Sequence, residues 1–400
     1  MLEAYIYDGA RTPFGRQAGA IAKVRPDDLL GGVIKEAVRR SGFSPESIDD
    51  VQIGCTNQAG EDARCIARHG LLLAGLPVEV PGIVHNRLCG SGLNALIGAA
   101  HAITCGEADV AIAGGVESMS RAPFVMAKAE SAYSNDMRIF NSQIGARFPN
   151  PKIEKAFGAH TMPQTADNMA GDFQLRREDC DLFAHGSQQK YARAKADGFF
   201  TGEIHAVTLP GAKGKPDTII AEDEHPRPAT TLEDLAKLKP LFEGGVTTAG
   251  NASGINDGAA AIVIASKDAG QKAGQKPIAR VIATAVAGVP PRIMGYGPVP
   301  AARKALERAG LDIKDMDIIE VNEAFAAQVL GCLKGRGVAF DDTRDNPTGG
   351  AIAVGHPLGA SGARIALSTA RELQRREGRY ALMSMCIGVG QGIAVIIERV

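Results

Sequence analysis

The sequence repeats a helix-and-strand pattern in its two halves, and this repeat constrains the fold more than any other feature. Residues 35–53 align without a gap on residues 303–321, and in both segments a helical pattern leads into a short apolar strand. Residues 89–93 likewise align on residues 359–363. Alternating helices and strands favour an α/β architecture. We therefore expect two similar α/β halves packed face to face, the alternative being chance similarity between helix–strand segments.

Residues 121–246 interrupt the repeated pattern. This stretch is richer in charged and turn-forming residues, contains a helical run at residues 177–196, and is too long for an ordinary connection. We interpret it as a lid-like inserted subdomain. The predicted organisation is an N-terminal half made of residues 1–120 and 247–270, an inserted loop subdomain at residues 121–246, and a C-terminal half at residues 271–400.

Composition narrows the class of protein. The chain has 400 residues, 45% of them hydrophobic, so it can bury a large core. Its net charge of −1 gives no indication of a nucleic acid or an anionic membrane as partner, and its longest apolar runs are too short to cross a bilayer. Seven cysteines without a secretory pattern favour a reducing compartment. We expect a cytoplasmic protein.

Cys89 stands in a glycine-flanked turn between a short apolar stretch, residues 81–85, and a helical pattern that includes Leu93. The pattern predicts that Cys89 lies where a strand ends and a helix begins. A helix N-terminus carries partial positive charge and unpaired N–H groups, so we expect it to lower the pKa of this thiol. Gly90 and Gly92 let a substrate approach the backbone. Cys89 is therefore a candidate nucleophile, with a buried structural cysteine as the alternative.

His356 is expected at a similar junction in the second half. Residues 351–354 are predicted as a strand, residues 355–357 as a turn, and Ser361 begins a predicted helix. A histidine in that position can accept the proton of a nucleophilic thiol and then stabilise the thiolate as an imidazolium. The pattern by itself leaves a structural histidine equally open.

Cys386 directly follows a predicted strand and precedes Gly388, Gly390 and Gly392. These glycines expose backbone N–H groups that can stabilise an oxyanion. Residues 388–392 superficially resemble a dinucleotide-binding loop, but an apolar strand follows them where a helix would be needed. We therefore predict a second reactive thiol at this position and no nucleotide-binding loop.

Together these segments resemble the motifs of the thiolase family, and they occur in the family's order. The resemblance covers essentially the whole chain and includes both cysteines. It implies a thiolase-like α/β fold in which two duplicated halves pack together with an inserted loop subdomain. The matching segments are residues 86–92, 114–120, 250–259, 322–325, 349–359 and 386–388.

The resemblance implies a role for each matching residue. Cys89 is expected to be the nucleophile that becomes acylated, and His356 is expected to activate it. Cys386 is expected to protonate the departing acetyl-CoA enolate during cleavage and to remove the α-proton during condensation. Asn322 would orient a water and form one oxyanion hole together with His356. The N–H groups of Cys89 and Gly388 would form the other oxyanion hole.

The resemblance also implies that coenzyme A is a substrate and that no bound cofactor is needed. Segments that resemble substrate and coenzyme A contacts contain Ser253, Met162, Arg227, Ala324 and Phe325. An acyl-enzyme that waits for a second thiol predicts ping-pong kinetics. The eight histidines show no metal-ligand spacing, so we expect no metal site. The family resemblance further implies a homo-oligomer, either a dimer or a tetramer built as a dimer of dimers.

Segments outside the catalytic motifs look most like the 3-oxoadipyl-CoA thiolases of aromatic-compound breakdown, in the β-ketoadipate pathway. Those enzymes cleave 3-oxoadipyl-CoA with coenzyme A to succinyl-CoA and acetyl-CoA. A terminal carboxylate in the acyl pocket requires a cation or several hydrogen-bond donors, and Arg147 can bind a carboxylate with two parallel bonds. A solvated surface arginine is the alternative for Arg147. The similar segments are residues 121–126, 144–151, 162–168, 291–295 and 386–392.

Two positions depart from the patterns of the subgroups. Ala146 stands where a bulkier aromatic residue is expected in 3-oxoadipyl-CoA thiolases, and Thr161 precedes Met162 where short-chain biosynthetic thiolases usually carry histidine. An acetyl-CoA acetyltransferase or a general short- or medium-chain 3-oxoacyl-CoA thiolase is therefore the alternative. A thiolase-like protein that binds acyl-CoA without catalysis is a further alternative. The Cys386 thiol argues against decarboxylating condensing enzymes, which would carry a second histidine there.

Overall fold

The computed structural model describes residues 2–400, and across them the chain forms fourteen strands and twelve α-helices. The strands are β1 (Ala4–Arg11), β2 (Gly15–Arg16), β3 (Asp50–Gly54), β4 (Gly82–His85), β5 (Val110–Ser118), β6 (Phe124–Met126), β7 (Ile139–Asn141), β8 (Val207–Leu209), β9 (Thr218–Ile220), β10 (Asn256–Ala265), β11 (Ala279–Gly288), β12 (Ile318–Val321), β13 (Tyr380–Ile387) and β14 (Gln391–Arg399). The helices are α1 (Pro26–Ser41), α2 (Ile66–Leu73), α3 (Ser91–Cys105), α4 (Pro151–Phe157), α5 (Met162–Phe173), α6 (Arg177–Ala196), α7 (Leu232–Ala236), α8 (Lys267–Lys272), α9 (Pro298–Ala309), α10 (Ala326–Arg336), α11 (Ala351–Val354) and α12 (Leu358–Arg375).

Strand order repeats between the two parts of the large sheet. The sheet runs β12-β13-β14-β11-β1-β10-β5-β3-β4, with β2 paired to β10. In the first part β3 and β5 are parallel and β10 is antiparallel to both β5 and β1. In the second part β12 and β13 are parallel and β14 is antiparallel to both β13 and β11. The predicted duplicated α/β architecture is therefore confirmed, and aligned segments of the repeat become equivalent strands.

The two half-sheets meet edge to edge as well as across a helical layer. β1 and β11 pair antiparallel over three residues, Ala4 to Ile6 against Ala279 to Val281. The second half differs at its outer edge, because the position equivalent to β4 is reduced to a single parallel bridge between Ile319 and Asp345. The repeat is therefore complete in topology but not in the length of every strand.

Apolar clusters show how the layers stack. One cluster joins α3 and α12 to residues from both half-sheets, so these two helices form a central layer. A second cluster places α1 and α2 against the outer face of the first half-sheet. A third places α9 and α10 against the outer face of the second. The structure is thus built in five layers, helix–sheet–helix–sheet–helix, with the hydrophobic effect holding each interface.

Helix α3 is long and apolar because it is a core helix. The segment Leu88–Cys105 has the length and hydropathy of a helix that could cross a membrane. Its apolar residues, including Leu93, Leu96 and Ile103, are instead buried in the central layer. Burial of these side chains between two sheets accounts for the composition of α3.

Helices α3 and α12 cross at glycines that the sequence repeat aligns with each other. A Cβ atom on Gly92 would lie 2.5 Å from the carbonyl oxygen of Gly359, and one on Gly362 would clash with the backbone N of Leu93. The helix backbones therefore touch near both N-termini, where no side chain fits. Because Cys89 and His356 immediately precede these helices, the crossing brings the two loops that carry them close together.

Residues 121–246 form the small elements β6 to β9 and α4 to α7. The hairpins β6–β7 and β8–β9 stand outside the large sheet. The helical run predicted at residues 177–196 is confirmed as α6. The boundaries given above for the two halves and the inserted subdomain remain a prediction.

The strand predicted at residues 351–354 is wrong, because these residues form the single-turn helix α11. The backbone N–H of Ile352 donates to Glu323 Oε2 at 3.1 Å, and that of Gly350 donates to Ser187 Oγ at 3.1 Å. These buried side-chain acceptors take N–H groups that a strand would offer to a neighbouring strand. A short apolar run does not distinguish a strand from a buried helical turn.

We expect Gly362→Ala to destabilise the protein by about 1–3 kcal/mol, because the added methyl group forces the two helix backbones apart. Gly186→Ala is the matched control, since Gly186 lies inside α6 with open space around its Cβ position, and there alanine should raise stability by about 0.5–1 kcal/mol. Thermal unfolding measures both. Equal effects of the two substitutions would contradict the role assigned to the crossing.

Candidate active site

The Cys89 loop joins β4, which ends at His85, to α3, which begins at Ser91. Leu88, directly before the cysteine, has a φ of 46°, a left-handed conformation that is strained for a branched side chain. Two hydroxyl groups compensate by donating to its carbonyl oxygen: Thr56 Oγ1 at 3.2 Å and Ser91 Oγ at 2.6 Å. The loop is therefore held in a fixed, strained turn that presents Cys89 at the start of the helix.

The expectation that the helix N-terminus lowers the pKa of Cys89 is wrong. Burial raises the pKa of this thiol to about 11, although the backbone N–H groups of Gly388 and Cys89 itself favour the thiolate. The charge of Glu117 raises the pKa further. The side chain remains half-exposed, but the surrounding protein removes enough water for desolvation to outweigh the backbone N–H groups. Cys89 therefore requires a base to become a nucleophile.

His356 is buried, and its hydrogen bonds define which ring nitrogen carries the proton. Ser361 Oγ donates to the carbonyl oxygen of Pro357 at 3.0 Å and lies 2.7 Å from His356 Nδ1. Since the hydroxyl proton is used by Pro357, Ser361 accepts from Nδ1–H. The other nitrogen, Nε2, then carries the lone pair and lies 3.4 Å from Asn322 Nδ2. His356 thus presents a basic nitrogen beside Asn322.

The surroundings of His356 keep its ring neutral. Burial lowers its pKa to about 3, and the positive charge of Arg364 lowers it further. The backbone N–H of His356 donates to Asn256 Oδ1 at 2.9 Å, which fixes the loop. The neutral imidazole has a lone pair that can accept a proton, but its lowered pKa makes it a weak base in the resting site.

Asn322 directly follows β12, and its side-chain oxygen receives no hydrogen bond from residues 2–400. Its backbone N–H donates to the carbonyl oxygen of Ser384 at 2.9 Å, which fixes it beside β13. Its Oδ1 atom is buried and makes no hydrogen bond within residues 2–400. A buried amide oxygen of this kind is suited to accept from a water or a substrate group.

Cys386 lies inside β13, opposite Gly392 of β14, and does not follow the strand as expected. It packs with Ala324, Phe325 and Met294 in a small buried cluster. Burial raises the pKa of its thiol well above the usual range, and the nearby sulfur of Cys89 raises it further. The two sulfurs therefore lie close enough to affect each other's charge, and both thiols are protonated at neutral pH.

Gly388 lies in the tight turn between β13 and β14, where Val389 and Gly390 have φ values of 65° and 82°. A Cβ atom on Gly388 would lie 3.2 Å from Leu88 Cδ1 and 3.7 Å from Met162 Sδ. The glycine thus lets the Cys89 loop approach its backbone N–H. The same distances place Met162, at the start of α5, over the site.

The remaining predicted binding residues lie around this centre at different distances. The backbone N–H of Ser253 donates to the carbonyl oxygen of Ala324 at 3.0 Å, which links two predicted contact segments. Arg227 follows His225, whose ring packs against Gly254 beside Ser253. Burial and the nearby charge of Arg227 lower the pKa of His225 to about 4, so this ring is neutral. The structure thus brings Arg227 near Ser253 but gives it no contact with Cys89.

Arg147 is linked to the Cys89 loop through Asn57 and the neighbouring Thr56. Its Nη2 donates to Asn57 Oδ1 at 2.6 Å, and Asn57 follows Thr56, which contacts the Cys89 loop. Arg147 is half-buried and has no carboxylate partner within the described residues 2–400. Its Nε atom and the Nδ2 atom of Asn57 are buried donors without acceptors in that part of the chain. An arginine held by a neutral amide keeps its charge available for an anion.

Sequence reasoning missed three residues that organise the site. Ser361 and Asn256 orient His356, and Glu117 accepts backbone N–H groups from two sides of the site. Glu117 has a sequence signal, since it is the one charged residue in the strand Val110–Ser118. A carboxylate in such a strand requires donors, whereas Ser361 and Asn256 carry no comparable signal.

Comparison with known proteins agrees with this geometry. Residues 4–268 match the family model for the N-terminal domain of thiolase, and residues 275–399 match that for its C-terminal domain. The chain is 58% identical over 402 residues to 3-oxoadipyl-CoA/3-oxo-5,6-dehydrosuberyl-CoA thiolase of Escherichia coli strain K12, with 100% of both chains covered. It is 56% identical to a beta-ketoadipyl-CoA thiolase of Acinetobacter baylyi, again with 100% of both chains covered. The crystal structure of Bacillus anthracis acetyl-CoA acetyltransferase superimposes with a TM-score of 0.92, at 36% identity and with 100% of this chain and 99% of that chain covered. The chain therefore belongs to the thiolase family.

Proposed function

We propose that this protein cleaves 3-oxoadipyl-CoA with coenzyme A to succinyl-CoA and acetyl-CoA, through an acyl group carried on Cys89. The observation that supports this proposal is that the Cys386 sulfur lies close enough to that of Cys89 to affect its charge, with the N–H of Gly388 at Cys89 and a neutral His356 directly before the helix that crosses α3. Full-length identity of 55–58% to curated beta-ketoadipyl-CoA thiolases supports the choice of substrate.

The first half-reaction uses each of these groups once. His356 Nε2 takes the proton of Cys89, and the thiolate attacks the ketone carbon C3 of the substrate. A water held by Asn322 Oδ1 and the Nε2–H of protonated His356 donate to the resulting oxyanion. The C2–C3 bond then breaks, Cys386 protonates the enolate carbon, and acetyl-CoA leaves. The products of this half-reaction are succinyl-Cys89 and a Cys386 thiolate.

The second half-reaction restores both cysteines. The Cys386 thiolate removes the proton of coenzyme A, whose sulfur attacks the succinyl thioester. The N–H groups of Cys89 and Gly388 donate to this second oxyanion. The tetrahedral intermediate releases succinyl-CoA and the Cys89 sulfur, which recovers its proton from His356. The order of events is ping-pong, because one product leaves before the second thiol reacts.

The inserted segment is proposed to form the wall of the binding site. Met162 lies over Gly388, and Ser253, Ala324 and Phe325 border the thiols. These residues and Arg227 are proposed to contact coenzyme A or the acyl chain. Arg147, oriented by Asn57, is proposed to bind the distal carboxylate of 3-oxoadipyl-CoA.

Substitutions of the two cysteines should affect different steps of the reaction. Cys89→Ala should abolish both thiolysis and labelling of the protein by succinyl-CoA, because the acyl carrier is gone. Cys386→Ala should lower kcat for thiolysis by about 10²–10⁴-fold, because the enolate loses its acid, yet still become acylated on Cys89. Intact-protein mass spectrometry measures the acylation. Acylation of Cys89→Ala at another residue would contradict the assignment.

Substrate preference tests the carboxylate assignment. We expect kcat/KM for 3-oxoadipyl-CoA to exceed that for acetoacetyl-CoA by about tenfold or more, equivalent to about 1.4 kcal/mol. Arg147→Gln should lower this ratio by about tenfold, because a charged hydrogen bond is worth about 1.5–3 kcal/mol. Arg138→Gln is the matched control, since Arg138 lies in the same segment and is paired with Asp136 on the surface. A preference for acetoacetyl-CoA would favour the acetyl-CoA acetyltransferase alternative and discard the pathway.

We also propose that the protein acts in the cytoplasm as a homo-oligomer. All seven cysteines lie within the described residues and are free thiols, which suits a reducing compartment. Phe124, Met126 and Ile139 expose large apolar surfaces on the β6–β7 hairpin, which favours contact with another subunit. Light scattering should give a mass of two or four copies, and a monomer would contradict the proposal.

A further inference from the structure

Glu117 is a buried carboxylate that lies between the two catalytic loops without belonging to either. It is the eighth residue of β5, every residue of which is buried, and its own exposure is 2%. Burial raises the pKa of its carboxyl group to about 7, although three backbone N–H donors lower it. A carboxylate in such a position is costly unless those donors are essential to the fold or the site.

The carboxylate oxygens of Glu117 accept from two separate parts of the chain. Oε2 accepts from the backbone N–H of Thr56 at 3.0 Å and from that of Gly359 at 2.9 Å. Oε1 accepts from the backbone N–H of Asn57 at 3.0 Å. One oxygen atom thus joins the turn after β3 in the first half to the first turn of α12 in the second half.

Each donor is connected to one catalytic loop. On the first side, Thr56 Oγ1 donates to the carbonyl oxygen of Leu88, and Asn86 Nδ2 donates to the carbonyl oxygen of Thr56 at 3.0 Å, so Thr56 holds the chain directly before Cys89. On the second side, Gly359 is the third residue after His356. Glu117 therefore fixes both loops through their backbones.

Side chains cannot replace this connection. Cβ atoms on Gly115 and Gly359 would meet the backbones of the neighbouring segments, so the two halves meet here backbone to backbone. Gly359 also lies in the first turn of α12, where N–H groups have no partner within the helix. The negative charge of Glu117 satisfies one of them and suits the positive end of the helix.

A metal site is the competing interpretation, because ligand atoms of Cys55, Asp62 and Glu117 all lie within 4.8 Å of one another. Both oxygens of Glu117 already accept from N–H groups, and those positive hydrogens would repel a cation in the same position. Burial also raises the pKa of Cys55 well above its usual range, so its thiol is protonated. The donor set therefore argues for hydrogen bonding and against a metal.

We propose that Glu117 is a positioning residue, whose carboxylate oxygen Oε2 sets the position of the Cys89 loop relative to the His356 loop across the junction of the two halves. This inference rests on the proposed function only in assigning His356 as the base for Cys89. Proton transfer between two side chains depends steeply on their separation, and a misplacement of about 1 Å costs about 100-fold in rate.

Variants of Glu117 distinguish the effect of the hydrogen bonds to Oε2 from the effect of the negative charge on kcat. Glu117→Gln can place its amide oxygen where Oε2 lies and keep both bridging bonds, while its amide nitrogen loses the bond from the N–H of Asn57, so kcat for acetoacetyl-CoA should fall by less than about tenfold. Glu117→Ala removes the bridge and should lower kcat by about 100-fold, with KM for coenzyme A changed less than about twofold. Asp62→Asn is the control, because Asp62 is an adjacent buried carboxylate that, within residues 2–400, accepts a hydrogen bond from Gly60 and bridges no two loops.

A measurement without substrate keeps this test independent of the proposed reaction. The rate at which iodoacetamide alkylates Cys89 reports how effectively His356 removes its proton. In the parent protein, His356→Ala should slow alkylation. In the Glu117→Ala background the same substitution should change the rate by less than about threefold, because the two residues are already uncoupled. Equal effects of His356→Ala in both backgrounds would overturn the proposal.

The proposal can still be tested if Glu117→Ala fails to fold. Circular dichroism and thermal unfolding identify variants that fail to fold, and Glu117→Asp then replaces Glu117→Ala. Aspartate keeps the charge but is one methylene shorter, so it cannot reach both loops, and kcat should fall by about tenfold or more. A Glu117→Asp enzyme with the parent kcat would overturn the proposal, as would a Glu117→Ala enzyme with the parent kcat. Absence of thiolysis in the parent protein would instead reject the proposed function and leave the alkylation test intact.

Discussion

The close crossing of α3 and α12 is the contact on which the catalytic arrangement depends. Each helix begins just after a catalytic residue, and the two backbones touch at Gly92 and Gly362 because neither residue has a side chain. A larger residue at either position would separate the helix N-termini and with them Cys89 and His356. The duplication of the chain thus brings the two candidate loops together, since Gly92 and Gly362, which the repeat aligns, meet at the same crossing.

Burial sets the protonation states of the titratable side chains in the candidate site. Desolvation raises the pKa of both Cys89 and Cys386 and lowers that of His356, so the resting site holds two thiols and a neutral imidazole. Charge develops only during the reaction, next to the N–H groups of Gly388 and Cys89 and the amide of Asn322. Fixed dipoles in a dry site stabilise developing charge effectively, because they need no reorganisation.

Much of the fold and the central residues could be predicted from the sequence. The aligned repeats identified equivalent strands, and glycine-flanked positions made Cys89, His356 and Cys386 candidates because reactive groups need open space near the backbone. The strand predicted at residues 351–354 failed, since Glu323 and Ser187 supply side-chain acceptors to that backbone from distant parts of the chain. The lowered pKa expected for Cys89 failed for a related reason, because the extent of burial depends on the other half.

The sequence by itself determined the duplicated α/β architecture and the family and supplied the candidate reactive side chains, because these follow from local periodicity and from motifs that are contiguous in the chain. Only the tertiary structure decided which groups meet: Ser361 and Asn256 on His356, Met162 over Gly388, and Asn57 on Arg147. It also decided the protonation states. Distances between remote segments and the loss of water around them are properties of the packed chain, and both are absent from a linear pattern.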